Sequence, residues 1–398
     1  MMFNNFYQHY HSFQETRIKK RRFTDEVWKE LVHEWSKDPQ FKITEVGKSF
    51  EGRAIHEIRF GEGPIKIAAW TQMHGNEATA TMSITDIMRF LSEKSDEFIE
   101  IRKILHQKVS IHILPKLNPD GAHNWKRETA LGIDMNRDAQ TMVTPEAKLL
   151  SNWADQIKPH FSFNLHDQNR LYSAGNTANQ THIAFLATPG DMQGTWTLSR
   201  MRSAKLANRL TRQIKPYLDN KIAKWTDEYE RRAFGDTFQS RGYGLLLIES
   251  GGAAWDLEKQ SLRKYNACLL LDAFYAIAEG KWEEENLQFY QELPHNEKSI
   301  VDIKIKNAPI NPDKNVRADL VFKIKETAQI NSEINYSWIL DDIGDMSHLY
   351  GLIEIDGSNF DYQNDQKLTL EGEYHQLIFS EKGKIAFNLT EYTNKINQ

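Results

Sequence analysis

His74-Gly75-Asn76-Glu77 sets an imidazole and a carboxylate three residues apart at a turn. The tetrapeptide follows the apolar run Ile65 to Trp70 and opens the helix-like stretch Ala78 to Lys94. Two such side chains at a strand end can aim one nitrogen and one oxygen at a common point. A zinc ion asks that of two of its three protein ligands. A third donor of the right type closes another apolar run: His166, in Asn164-Leu165-His166-Asp167, ends Phe161 to Leu165. A His, Glu, His set leaves the fourth position of a tetrahedral ion to water.

Two further pieces add charge in comparable settings. The stretch Asn118 to Asp138 begins with the turn signal Asn118-Pro119-Asp120-Gly121 and carries Arg127 and the pair Asn136-Arg137. The planar fork of arginine grips a carboxylate two-pronged, and a neighbouring Asn adds a hydrogen bond. Glu249 ends the apolar run Gly244 to Ile248, just before Ser250-Gly251-Gly252. A lone carboxylate there is costly to bury without a role or a partner.

The elements that must position these residues alternate. Helix-like patterns fall at Thr24 to Trp35, Ala78 to Lys94, Pro145 to Ile157, Leu198 to Leu218 and Glu258 to Ala278. Strand-like runs fall at Ala54 to Phe60, Ile65 to Trp70, Val109 to Leu117, Phe161 to Leu165, Thr181 to Thr188 and Gly244 to Ile248. The alternation predicts an α/β layer architecture, whose binding crevices lie at strand C-terminal edges. Residues 281–297 are polar and read as a linker. Short alternating segments after it, at Val301 to Ile305, Asp319 to Ile324, Ile353 to Ile355, Lys367 to Leu370 and Lys384 to Leu389, predict a small β-rich domain over 298–398.

Five ordered motifs, His74-x-x-Glu77, Asn118-Pro119-Asp120-Gly121, Arg127 with Asn136-Arg137, the run ending in His166 and the run ending in Glu249, resemble the zinc carboxypeptidase family. That family comprises the carboxypeptidase A-like metallopeptidases and related deacylases. Gly47-Lys48-Ser49-Phe50-Glu51-Gly52-Arg53 is similar to the start of that fold. The resemblance spans Thr44 to Gly280. It implies a mixed sheet flanked by helices over 23–280, with 1–22 an N-terminal arm outside it. It also implies one zinc ion held by His74, Glu77 and His166, with Glu249 as general base and Arg127 stabilising the oxyanion. Asn136 with Arg137 would hold a substrate carboxylate. Trp125-Lys126-Arg127 leaves Lys126 as the neighbouring basic residue, and the guanidinium suits the role better. The family's mobile tyrosine has no assignable counterpart among Tyr229, Phe234 and Tyr243. The specificity pocket would lie around Phe234-Gly235-Asp236, with Phe234 making it partly apolar.

The resemblance implies a metallocarboxypeptidase-like hydrolase that releases a C-terminal amino acid from a peptide. A deacylase of small N-acyl amino acids or other carboxylate-bearing amides, and a binding protein of the same fold without turnover, stand as the other two classes. Composition narrows the field. A net charge of −5 argues against nucleic acid, and the basic cluster Arg17 to Arg22 reads as a solvated face or arm. The single cysteine, Cys268, excludes a disulfide framework and a thiolate zinc site. No signal-like N-terminus or membrane-length apolar run is visible, so a cytoplasmic location is expected. His112 and His160 read as structural. His33-Glu34 and His56-Glu57 lack the second His of HExxH, having Lys37 and Phe60 there.

Overall fold

The computed structural model describes residues 2–311, 316–329, 333–362 and 368–396. Eight strands form one mixed sheet: β1 (Phe41–Lys48), β2 (Ala54–Phe60), β3 (Ile65–Thr71), β4 (Val109–Leu114), β5 (Phe161–Asp167), β7 (Ile183–Ala187), β8 (Ile222–Lys224) and β9 (Leu245–Ser250), with the two-residue β6 (Ser173–Ala174) outside it. Their spatial order is β1-β2-β4-β3-β5-β9-β7-β8. Strands β4, β3, β5 and β9 run parallel at the centre. Being covered on both faces, they read as continuous apolar runs rather than as alternation.

The two faces divide the core. Ile67, Ala69, Phe163 and Ile248 face one layer, built from α1 (Met2–Phe13), α2 (Asp25–Lys37), α3 (Thr79–Ser92), α4 (Ile99–Lys108), α7 (Leu198–Ile214) and α9 (Gln260–Ala278). Ala68, Trp70, Leu114 and Leu245 face α6 (Pro145–Ile157) and α8 (Phe234–Ser240), with the short α5 (Pro119–Asn124) at the strand ends. Helix starts follow their caps. Thr24 accepts from the Val27 amide at 3.3 Å, and Thr144 accepts from the Ala147 amide ahead of Pro145.

The N-terminal arm is a packed part of the fold. Helix α1 buries Phe3, Phe6, Tyr10 and Phe13, a helical spacing that gives it one apolar face. Tyr10 donates to Asp86 at 2.7 Å, and Asp86 pairs with the equally buried Arg263. The basic cluster is not solvated throughout. Arg21 pairs with Glu326 at 2.8 Å, and Arg22 donates to the Gln329, Glu333 and His123 carbonyls.

Residues 281–297 are likewise held down rather than free. They contain a helical turn at Gln288–Gln291, and β10 (Asn296–Glu297) pairs with β6. Beyond them a sheet is ordered β14-β11-β12-β13, from β11 (Ile300–Asn311), β12 (Val316–Ala328), β13 (Ile334–Gly344) and β14 (Tyr350–Asp356), with Glu373–Tyr374 at its far edge. The β-rich character expected of this region is present. Of the segment Lys367 to Leu370, Lys367 lies outside the described residues and the rest forms no strand. Trp255 and Leu257, from the β9–α9 loop, pack into this region's core, and Arg170 forms an ion pair with the buried Asp302.

Candidate metal centre

The loop from β3 to α3 is fixed by the Asn118 turn. Asn118 caps α5 by accepting from the Gly121 amide at 2.9 Å, while its own Nδ2 donates to the Met73 and Glu128 carbonyls. A Cβ on Gly75 would stand 1.9 Å from the Gly121 carbonyl carbon, and one on Gly121 would stand 2.7 Å from the Glu128 carbonyl oxygen, so each position needs glycine for its own close contact. Asp120 lies behind the turn and accepts from Ser49, the Glu51 amide and Arg53. The Gly47 to Arg53 segment thus buttresses the loop that carries His74 and Glu77.

His74 and Glu77 meet His166, which ends β5 beside that loop. Their ligand atoms lie within 4.8 Å of one another, and all three side chains are buried. His74 Nδ1 is 2.8 Å from Glu77 Oε1, and His166 Nδ1 is 2.7 Å from Glu77 Oε2. Burial pushes the Glu77 carboxyl upward, but the two imidazoles outweigh it and hold it well below the ordinary range.

Glu249 stands opposite His166 in the parallel β5–β9 pairing. Its carboxyl is pushed well above the ordinary value by burial, then by the carboxylates of Glu77 and Asp167. Its Oε2 is buried with no hydrogen-bond partner. A group left so is either a strained liability or one half of an interaction with something that binds.

Arg127 donates to Glu77 at 2.9 Å and through Nε and Nη2 to Asp134, while Lys126 is not among the cavity-lining residues. Asn136 accepts from the Phe234 amide at 3.0 Å through Oδ1, which leaves its amide hydrogens for a ligand. Arg137 lies 3.5 Å from Glu230. His74, Glu77, Arg127, Asn136, Arg137, His166 and Glu249 all line one cavity of about 500 Å³.

One residue beside this cavity escapes sequence reasoning. Asp134, two positions before Asn136, accepts from His74 Nε2 at 3.0 Å, from Arg127 and from the Asn136 amide. An Asp capping a single helical turn at Met135–Arg137 has an ordinary local explanation, so nothing in the sequence marks it. Tyr229 lines the cavity, whereas the Tyr243 hydroxyl donates to Asp155 and Phe234 is fully buried against Phe238. The pocket wall expected to be partly apolar through Phe234 is instead formed by Gly235 and Asp236. His112 bonds Glu57 at 2.9 Å, and His160 accepts from the Lys66 amide, both structural roles.

A sequence model described as zinc carboxypeptidase matches residues 29–231, about half of the chain. The chain belongs to the zinc carboxypeptidase family. The matched span holds the three metal-site residues with Arg127, Asn136 and Arg137, while Glu249 lies beyond it. Among curated relatives, an uncharacterized protein of Zymomonas mobilis is 26% identical over 54% of this chain and 51% of its own length. The human carboxypeptidase N catalytic chain is 28% identical over 30% of this chain and 32% of its own length. The chain therefore spans about half or less of these relatives. A metallo-carboxypeptidase structure from Burkholderia cenocepacia aligns with a TM-score of 0.51 and 16% identity, covering 64% of this chain and 69% of that one. Carboxypeptidase A from Helicoverpa armigera aligns with a TM-score of 0.50 and 14% identity, covering 66% and 75%. At such identities the structures speak for the fold.

The donor set suits the family's metal. Two imidazole nitrogens and one carboxylate converge, and no thiolate is near, Cys268 being buried in α9. His74 Nε2 is engaged by Asp134, which turns Nδ1 toward the centre, the carboxylate–histidine support common to zinc ligands.

Proposed function

We propose that this chain is a zinc-dependent amide hydrolase that releases a C-terminal amino acid from a peptide. The observation that carries this reading is the shared cavity. The His, Glu, His set, a buried unpartnered carboxyl and the Arg127, Asn136 and Arg137 donors all open onto one space. His74, Glu77 and His166 would hold the ion. Bound zinc supplies Lewis-acid polarisation and a water of lowered pKa.

The chain's own residues do the rest. Glu249, its proton affinity raised by burial, is placed to take the proton of the attacking water and pass it to the departing amine. Arg127 presents its guanidinium at the metal-site mouth, where an oxyanion would accept its hydrogen bond. Asn136 and Arg137 would grip the terminal carboxylate and so fix the scissile carbonyl without reacting. Tyr229, together with Tyr172, lines the cavity wall.

The same groups would serve an N-acyl amino acid, whose acyl group the space beyond Glu77, walled in part by Lys323, Ile324 and Ile339, would take. A mixed-peptide digest with and without chelator tests the proposal. Loss of single C-terminal residues, abolished by chelator and restored by zinc, is expected. Release only of acyl groups from N-acyl amino acids would select the second reading, and no zinc-dependent hydrolysis of either class would overturn both.

A further inference from the structure

A second cavity of about 380 Å³ adjoins the first and shares Glu77, Arg127 and Asp167 with it. Asn136, Arg137 and Asp236 line only the first. The metal site therefore stands between a carboxylate grip on one side and a separate chamber on the other. A substrate held by its terminal carboxylate would extend its acyl portion into that chamber. The far wall consists of Lys323, Ile324, Glu326 and Ile339, from strands β12 and β13 of the β-rich region, which the family match does not reach.

Hydrogen-bonding capacity in the chamber is lopsided. Five cationic side chains line it against three carboxylates. Glu77 is engaged by both imidazoles and Arg127, and Glu326 by Arg21, while Asp167 bonds Thr79 and Lys259 through Oδ2 and keeps one buried oxygen, Oδ1, without a partner. The cations keep unused donors. Lys323, about one-third exposed, has a single ion-pair partner in Asp341 at 2.7 Å. Arg170 has one in Asp302, and its Nη1 is buried without a partner. Spare N–H groups facing few spare acceptors suit an anionic guest.

We infer that the β-rich region supplies an acyl-side specificity wall, which selects substrates carrying a carboxylate on the residue or acyl group preceding the scissile bond. This deepens the reading of the chain as a zinc-dependent hydrolase and rests on it. Lys323 is the residue that reads the charge, with Arg170 supporting it.

The test uses the full-length zinc-loaded protein and three N-acetylated dipeptides sharing one C-terminal residue, with glutamate, glutamine or lysine before it. Wild type is expected to favour the glutamate substrate over its glutamine isostere by about tenfold in kcat/KM. Lys323→Gln should reduce that ratio and Lys323→Glu should bring it to one or below. Turnover of all three substrates at equal kcat/KM, or a ratio unchanged in both variants, overturns the inference and leaves the hydrolase reading standing. No turnover of any of them, nor of longer peptides or N-acyl amino acids, overturns that reading and the inference together.

Discussion

His74 Nε2 lies 3.0 Å from Asp134 Oδ1, and that carboxylate also takes hydrogen bonds from Arg127 and the Asn136 amide. One side chain thereby orients a metal-site imidazole, the proposed oxyanion donor and the proposed carboxylate grip. Asp134→Asn keeps the shape and loses the charge. Zinc affinity, measured by competition with a chromophoric chelator, should fall about 10–100-fold. Wild-type affinity in that variant would show that His74 needs no such support.

Glu249→Gln removes the proposed proton carrier without emptying its space. The variant should still bind zinc, while kcat falls by about 10²–10⁴-fold. Replacing a buried carboxyl that Glu77 and Asp167 repel should leave the melting temperature of the metal-free protein unchanged or higher. A near-normal kcat would place the general base elsewhere.

Gly75 and Gly121 make a second kind of claim, about backbone approach. Gly75→Ala forces a Cβ onto the Gly121 carbonyl carbon, which no rotamer change relieves, and should cost about 2–4 kcal/mol of stability. Gly52, at φ +83° with open space around it, offers a contrast. Gly52→Ala should cost only the left-handed conformation, about 1–2 kcal/mol. Equal losses in urea melts of the two variants would deny the close contact.

Asp236 bears on side-chain preference. Burial pushes its carboxyl up to about 6, against the lowering effect of the hydrogen bond it accepts from the Glu230 amide. Below that pH it is neutral and above it anionic. The kcat/KM ratio for a C-terminal lysine over norleucine should therefore rise as pH goes from 5 to 7.5, by on the order of tenfold. Taking a ratio cancels the titration of the metal site. Asp236→Asn should give a ratio that is low and flat with pH, and a flat wild-type profile would remove Asp236 from the pocket's chemistry.

Much of this site was legible because its residues end strands. An apolar run that closes on His166 or Glu249 marks both an element and a chemical anomaly, and β3, β5 and β9 prove to be neighbours in the sheet. The helix-like ranges that begin at Thr24 and Pro145 hold because Thr24 and Thr144 cap them. Asp134 was not legible, since its work lies in three long-range or backbone contacts that no local pattern encodes. Phe234 misled because an aromatic beside a glycine looks like a pocket wall, yet the first residue of α8 points into the core and Asp236 faces the cavity. In α1 the spacing of Phe3, Phe6, Tyr10 and Phe13 carried a signal that the surrounding Asn, Gln and His residues obscured. The burial of Arg21 and Arg22 depends on partners more than 100 residues away, beyond any local inference.

Metal stoichiometry tests the central claim most directly. Wild type dialysed against dilute zinc and analysed by plasma mass spectrometry should carry one zinc ion per chain, and a folded His74→Ala/His166→Ala double variant should carry none. A full zinc equivalent retained by the double variant, or wild type that binds no zinc at all, would contradict the account.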